Sequence, residues 1–123
     1  MTADLVAEER AAAERRAFDD RDRAILAEVL QEQRRQVSKW RVQRHPAHVP
    51  HTLADHVAEL AKGRTDRAAR AGRLTWRLIL DEEVAEAYAE RDPAELRAEL
   101  IQVAAVAASW VRDLDLTAEE QAR

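Results

Sequence analysis

Apolar residues recur at intervals of three and four along most of this chain, with charged residues between them, so the ordered segments read as helix. Residues 3–24 are the weakest case: Ala, Arg, Glu and Asp dominate, and Leu5, Val6 and Phe18 are the large apolar groups. That stretch predicts a charged, weakly anchored helical arm, either a solvated helix whose charges meet near neighbours or an arm that docks on a second subunit. From Ala24 the pattern strengthens, with Ile25, Leu26, Val29, Leu30, Val37 and Trp40 at helical spacing, and the helix is expected to end near Trp40 or Arg41. Pro46 and Pro50 make the next segment a loop, because Pro fits no helix interior and biases its predecessor away from α.

Thr52 is the expected N-cap of a helix over Leu53 to Leu60, with Asp55 three residues on in a capping-box-like arrangement. Gly63 weakens that helix, a charged, Ala-rich stretch carries on to Ala71, and Gly72 is the expected stop. Thr75 is expected to cap a helix from Trp76 to about Arg91. Asp92-Pro93 reads as a restart, an N-cap followed by Pro at the first helical position. The last helix, residues 93–114, puts Leu96, Leu100, Val103, Ala107, Trp110, Val111 and Leu114 on one face, and Thr117 opens a short frayed tail. No repeat of fixed period is present.

Composition narrows the class. The 123 residues suffice for one domain with a modest core, divided here into the arm (1–24), the main helical domain (25–116) and the tail (117–123). The chain has 26 Ala and 18 Arg but only 2 Gly and 3 Pro, which favours helices and disfavours the many turns of sandwiches, barrels and doubly wound sheets. Gly63 and Gly72 stand alone, so no P-loop or dinucleotide fingerprint exists. With no Cys, a disulfide scaffold and a Cys-based zinc site are excluded. The longest apolar run, Val103 to Ala108, falls far short of the ~20 residues of a membrane span, and the first 25 residues are too charged for a signal peptide. The expectation is a soluble, cytoplasmic, all-α protein with no membrane association. A net charge of −4 gives no reason to expect bulk nucleic-acid binding.

The candidate chemistry lies between Asp81 and Gln102. Glu83 and Glu86 are three apart and Glu82 and Glu86 four apart, so each pair shares a helix face. Glu99 and Gln102 repeat the three-residue spacing beyond Asp92-Pro93. So short a connection makes the two helices antiparallel. Glu86 and Glu99 then stand equidistant from the turn, as do Glu83 and Gln102, one turn deeper. Two arrangements are open. The carboxylates sit on the solvated face of an amphipathic hairpin, or they converge and need a cation. Oxygen ligands in that number suit Mg²⁺ or Mn²⁺.

Glu82-Glu83-Val84-Ala85-Glu86, a 12-residue gap and Glu99-Leu100-Ile101-Gln102 together resemble the EExxE…ExxD signature of MazG-like nucleotide pyrophosphohydrolases. These belong to an all-α superfamily with all-α dUTPases and phosphoribosyl-ATP pyrophosphohydrolases. Glu32 to Trp40 is similar to the ERxxQxxKWG segment of small bacterial and phage members, and His45-Pro46 follows where such sequences often carry HP. Gly72-Arg73-Leu74-Thr75-Trp76 and Val103 to Val106 with Trp110 fit as well, so the resemblance covers residues 25–114 and leaves out the arm. It departs at two positions: the family's last metal-binding Asp is Gln102 here, and the Gly after KW is Arg41.

The resemblance implies a four-helix-bundle-like fold and Mg²⁺-dependent hydrolysis of a (d)NTP between the α and β phosphates, giving monophosphate and pyrophosphate. It assigns Glu83, Glu86, Glu99 and Gln102 to the metal, with Glu82 as the candidate group that orients or deprotonates water. Lys39, Arg73 or Arg77 would pair with phosphate oxygens, and Trp40 or Trp76 would stack on the base. Both Trp side chains, like Trp110, have core packing as the alternative role. Because Gln102 is neutral, the other reading is a weakened homologue that binds nucleotide without turning it over, or a helical protein-interaction module. A purely structural adaptor built on the N-terminal helix is a third.

His45, His48, His51 and His56 lie within twelve positions. Two prolines interrupt any common helical face, so loop histidines that are solvated or bonded to backbone are expected over a metal site. The limited core predicts a homodimer or homotetramer.

Overall fold

The ends of the helices follow from a few capping bonds. In the computed structural model, which describes residues 2–123, Thr2 Oγ1 accepts the Leu5 N–H at 3.3 Å and starts α1 (Ala3–Trp40). This helix is continuous across Ala24. It stops at Arg41, whose N–H donates to the Val37 carbonyl at 2.7 Å with φ 64° and ψ −177°. That backbone region is nearly exclusive to glycine and costs a side-chain-bearing residue about 1–3 kcal/mol. Arg41 is also the position where the resembled family carries Gly. Arg41→Gly is expected to raise unfolding free energy by about 1 kcal/mol in chemical denaturation, after the entropy cost of the added Gly.

The next helix, α2 (Ala54–Arg70), is not capped by Thr52 as expected. His51 closes a turn instead: its Nδ1 accepts the Leu53 N–H at 3.0 Å and its carbonyl accepts the Ala54 N–H at 2.9 Å. Ala54 N–H is one of the donors a Thr52 cap would need, so the helix begins later, with Leu53 at the N-cap position. It runs through Gly63 unbroken. Its end is a Schellman motif: Gly72 N–H bonds to the Ala69 carbonyl (3.2 Å), Arg73 N–H bonds to the Ala68 carbonyl (2.8 Å), and Gly72 has φ 68°.

Thr75 Oγ1 accepts the Leu78 N–H at 3.2 Å and caps α3 (Trp76–Ala89) as expected. This helix ends two residues before Arg91, because Asp92 must itself start the next one and the chain is already extended at Glu90. Asp92 Oδ2 accepts the Glu95 N–H at 3.0 Å and begins α4 (Pro93–Gln121). The tail expected from Thr117 is in fact the last turns of α4. Ala118, Glu119 and Glu120 are strong helix formers, and Arg21 holds both carboxylate oxygens of Glu119 at 2.9 Å.

The described residues contain four helices and no strand, which is the expected all-α class. They divide into two compact units, one of residues up to Arg44 with Val111–Arg123, the other of His45–Trp110. In the first, Arg112 bonds both oxygens of Asp22 (3.0 and 2.8 Å) and stands over the Phe18 ring at 5.2 Å, while Ile25 is buried. Leu26, Val29, Leu30, Val37 and Trp40 remain exposed, so the apolar stripe read along α1 is only partly covered.

In the second unit α2 packs on α3 through small residues. Ala54, Ala61 and Ala87 are buried, and Thr65 Oγ1 reaches the Ala61 carbonyl (3.1 Å) and the Leu78 carbonyl (3.3 Å). On α4, Leu96, Val103 and Trp110 are half-buried, whereas Leu100, Ala107, Val111 and Leu114 are exposed. No helix is long and apolar enough to cross a membrane among the described residues.

Candidate functional site

Helical spacing puts Glu83 and Glu86 on one face of α3, and the Asp92-capped turn brings Glu99 of α4 to their level. Glu83, Glu86 and Glu99 each offer a carboxylate oxygen within 4.8 Å of the others, and all three side chains are half-buried. Three like charges this close repel, and the surroundings strip part of their hydration. Burial, reinforced by the charges of Glu83, Glu99 and Glu82 and by a hydrogen bond to Glu99, pushes the Glu86 carboxyl up to about 7. Burial raises Glu83 as well, with Glu99 and Glu82 adding to it. Glu83 Oε2 and Glu99 Oε2 are both buried without a hydrogen-bond partner.

Unsatisfied carboxylate oxygens that converge are costly unless a proton or a cation lies between them. At neutral pH a shared proton on Glu86 relieves part of that cost. A divalent ion relieves more, and a donor set made only of oxygens fits a hard cation such as Mg²⁺ or Mn²⁺.

The sequence reading missed two members of the surroundings. Asp55 and Glu59, one turn apart on α2, line the same cleft of about 450 Å³ as Glu86, Glu90 and Glu99. Asp55 is paired with Arg91 at 3.5 Å. The signal was present: the 71–75 turn brings this pair level with the end of α3, by the same reasoning that matched Glu86 with Glu99.

The remaining sequence-derived residues are placed less closely. Glu82 is half-buried beside Glu83, and its charge acts on both Glu83 and Glu86. Gln102 is exposed, one turn beyond Glu99 on α4. Trp76 and Arg77 occupy the first turn of α3, about 10 Å along the helix axis from Glu83, with Arg73 in the preceding turn. Trp76 is half-buried, and Arg77 stands 3.8 Å from Asp81, one turn on, with both side chains mostly in solvent. Lys39 and Trp40 belong to the other compact unit, where the Lys39 ammonium stands 4.7 Å from the Trp40 ring centroid.

In the same stretch of α1, Arg35 Nε donates to Glu32 Oε2 at 2.8 Å and Gln36 donates to Glu32 Oε1 at 3.2 Å. The Arg35 bond, followed by that from Gln36, holds the Glu32 carboxyl down at about 2. This part of the resembled segment is therefore a self-contained polar network on the helix surface.

Two of the clustered histidines serve the backbone. His48 Nε2 donates to the Tyr88 carbonyl at 2.7 Å, satisfying an acceptor in the last turn of α3, and His51 forms the turn before α2. Among the described residues, the one group of His, Asp and Glu side chains close enough to hold an ion is Glu83, Glu86 and Glu99, and no histidine belongs to it. Comparison with known proteins finds no matching family model, curated protein or solved structure.

Proposed function

We propose that this chain is a divalent-cation-dependent hydrolase of the MazG-like type, which cleaves a nucleoside triphosphate between its α and β phosphates. The observation that carries the reading is the convergence of Glu83, Glu86 and Glu99, with two of their oxygens buried and unpartnered. The motif resemblance supplies the reaction class.

In this reading Glu83, Glu86 and Glu99 hold Mg²⁺ or Mn²⁺, with the Gln102 amide oxygen as a neutral fourth donor. When bound, the ion neutralises phosphate charge and makes a water more acidic. The protein's own part is to release the Glu86 proton when the cation enters, and to offer Glu82 as the base that orients or deprotonates the attacking water. Arg73, in the turn before α3, and Arg77, in its first turn, would meet phosphate oxygens. Trp76 on α3 gives the base a stacking face. A homodimer or homotetramer is the proposed assembly.

The test is turnover of a panel of ribo- and deoxyribonucleoside triphosphates with Mg²⁺ or Mn²⁺, with products separated by ion exchange. Monophosphate and pyrophosphate in equal amounts are expected. Release of orthophosphate alone, or no turnover, contradicts the reading.

One observation favours a second reading. Gln102 brings no charge to the site, so a chain that binds nucleotide calorimetrically without hydrolysing it would be a weakened homologue acting as a binding module. Gln102→Asp is expected to raise turnover in that case.

A further inference from the structure

Residues 41–53 belong to no helix, and two of their histidines, three positions apart, bond to the backbone of the α2–α3 unit. His48 Nε2 donates to the Tyr88 carbonyl at 2.7 Å in the last turn of α3, and its ring stands edge-on to the Tyr88 ring at 5.6 Å. His51 Nδ1 accepts the Leu53 N–H at 3.0 Å, just before α2. Val49, between them, is 91% exposed, so apolar burial does little to hold this stretch.

The two rings differ in what a second proton does to them. A neutral imidazole has one N–H and one acceptor nitrogen, whereas the charged ring has two N–H groups and no acceptor. His48 bonds through an N–H that both forms carry, and a positive ring beside the last carbonyls of α3 is favourable. His51 bonds through the acceptor that protonation removes. The charged ring would aim its N–H at the Leu53 N–H and set a positive charge beside the start of α2, where no side chain caps the helix.

The charged and titratable groups around His51 do not offset that cost. On α2, Asp55 in the first turn is paired with Arg91 at 3.5 Å, His56 follows it, and Arg64 lies about 15 Å along the axis from Ala54. On α3, Tyr88 and Asp81 line the same groove as His48 and His51, with Asp81 about 10 Å down the helix from Tyr88. One anion is distant and the other already has a cation.

We propose that His51 is a pH-sensitive latch: neutral, it closes the turn that starts α2, and protonated, it releases that turn while His48 keeps its hold on α3. The closed turn needs an unprotonated Nδ1, so it binds one proton fewer than the open turn. It is therefore lost as pH falls through the range in which histidine ordinarily titrates, about pH 8 to 5. Glu86 acts in the opposite direction, since its proton relieves repulsion in the carboxylate cluster, so the latch must be read locally. Asp55, on the released turn, lines the carboxylate cleft with Glu86 and Glu99, and acid loosens that wall. The latch does not rest on the hydrolase reading.

Nitrogen-15 NMR of the full chain from pH 7.5 to pH 5 tests it. At pH 7.5 His51 is expected to carry its single ring proton on Nε2. Protection of the Leu53 N–H from solvent exchange, relative to an unstructured chain at the same pH, is expected to fall at least about fivefold by pH 5. His51→Asn, whose side-chain oxygen accepts the same N–H without titrating, is expected to keep its protection level across the range. His48→Gln, which retains a donor for the Tyr88 carbonyl, is expected to show the wild-type fall, and unchanged far-ultraviolet circular dichroism checks each fold. A proton on His51 Nδ1 at pH 7.5, or protection that does not fall in the wild type, overturns the proposal. So does the same fall in His51→Asn, or a fall abolished by His48→Gln.

Discussion

Glu86→Ala is expected to reduce cation-dependent release of pyrophosphate at least about a hundredfold. Glu86 is the member of the cluster that both of the other carboxylates reach: Glu83 and Glu99 each raise its affinity for a proton, and Glu99 shares a hydrogen bond with it. Its removal leaves two carboxylates on different helices and no anionic group between them. The same substitution should not weaken the fold above neutral pH. The carboxyl it deletes is pushed up to about 7 by burial and by its neighbours, so the wild-type chain is carrying an unfavourable charge there. Loss of turnover with unchanged or higher denaturation midpoint at pH 8 is the expected pair of results. Turnover that survives in Glu86→Ala would remove this cluster from the reaction.

The second large effect is the dependence of stability on pH. Unfolded, Glu86 ionises near its ordinary value of 4.5; folded, it holds its proton to about 7. Between those values the folded chain binds more protons than the unfolded one, so the contribution of Glu86 to stability falls as pH rises and levels off above 7. The cleft is open to solvent, and after allowance for screening the loss is about 1–2 kcal/mol. Urea denaturation of wild type and Glu86→Gln from pH 4 to pH 8.5 measures it as a difference. The wild type should lose stability relative to the variant across that window, and Mg²⁺ or Mn²⁺ at pH 8 should restore it in the wild type alone. Parallel curves would show that Glu86 titrates as an ordinary surface carboxylate.

Most helix boundaries could be read from the chain because they are local. Thr75, Asp92 with Pro93, and Gly72 act within one turn of themselves, and each does what its residue type demands. Where the expectation failed, a competing local bond or a partner distant in sequence decided. His51 took the start of α2 from Thr52, and the Arg21–Glu119 pair joins residues 98 apart, carrying α4 through what read as a tail. The depth of burial was not readable, because spacing marks an apolar face without showing what covers it. Leu26, Leu30, Val37 and Trp40 lie on the expected stripe and are exposed.

The carboxylate site followed from the same geometry as the hairpin. Equal distance from the turn predicted that Glu86 and Glu99 lie level, and their side chains do face each other together with Glu83. Asp55 and Glu59 were missed because the level-matching stopped at one turn, although the 71–75 connection brings α2 to the same cleft. The substrate residues were harder. Arg77 and Lys39 stand beside neighbours within their own helices in this structure, and no rule of spacing shows which basic side chain waits for a phosphate.

The central claim is that Glu83, Glu86 and Glu99 hold one divalent cation. Calorimetric titration of Mn²⁺ into the full chain at pH 8 tests it most directly, beside Glu83→Gln, Glu86→Gln and Glu99→Gln, each of which keeps the side-chain shape and removes one charge. A single saturable site per chain is expected in the wild type, weakened at least about tenfold in every variant. Variant isotherms that superimpose on the wild type, or a wild type with no saturable site, would contradict it.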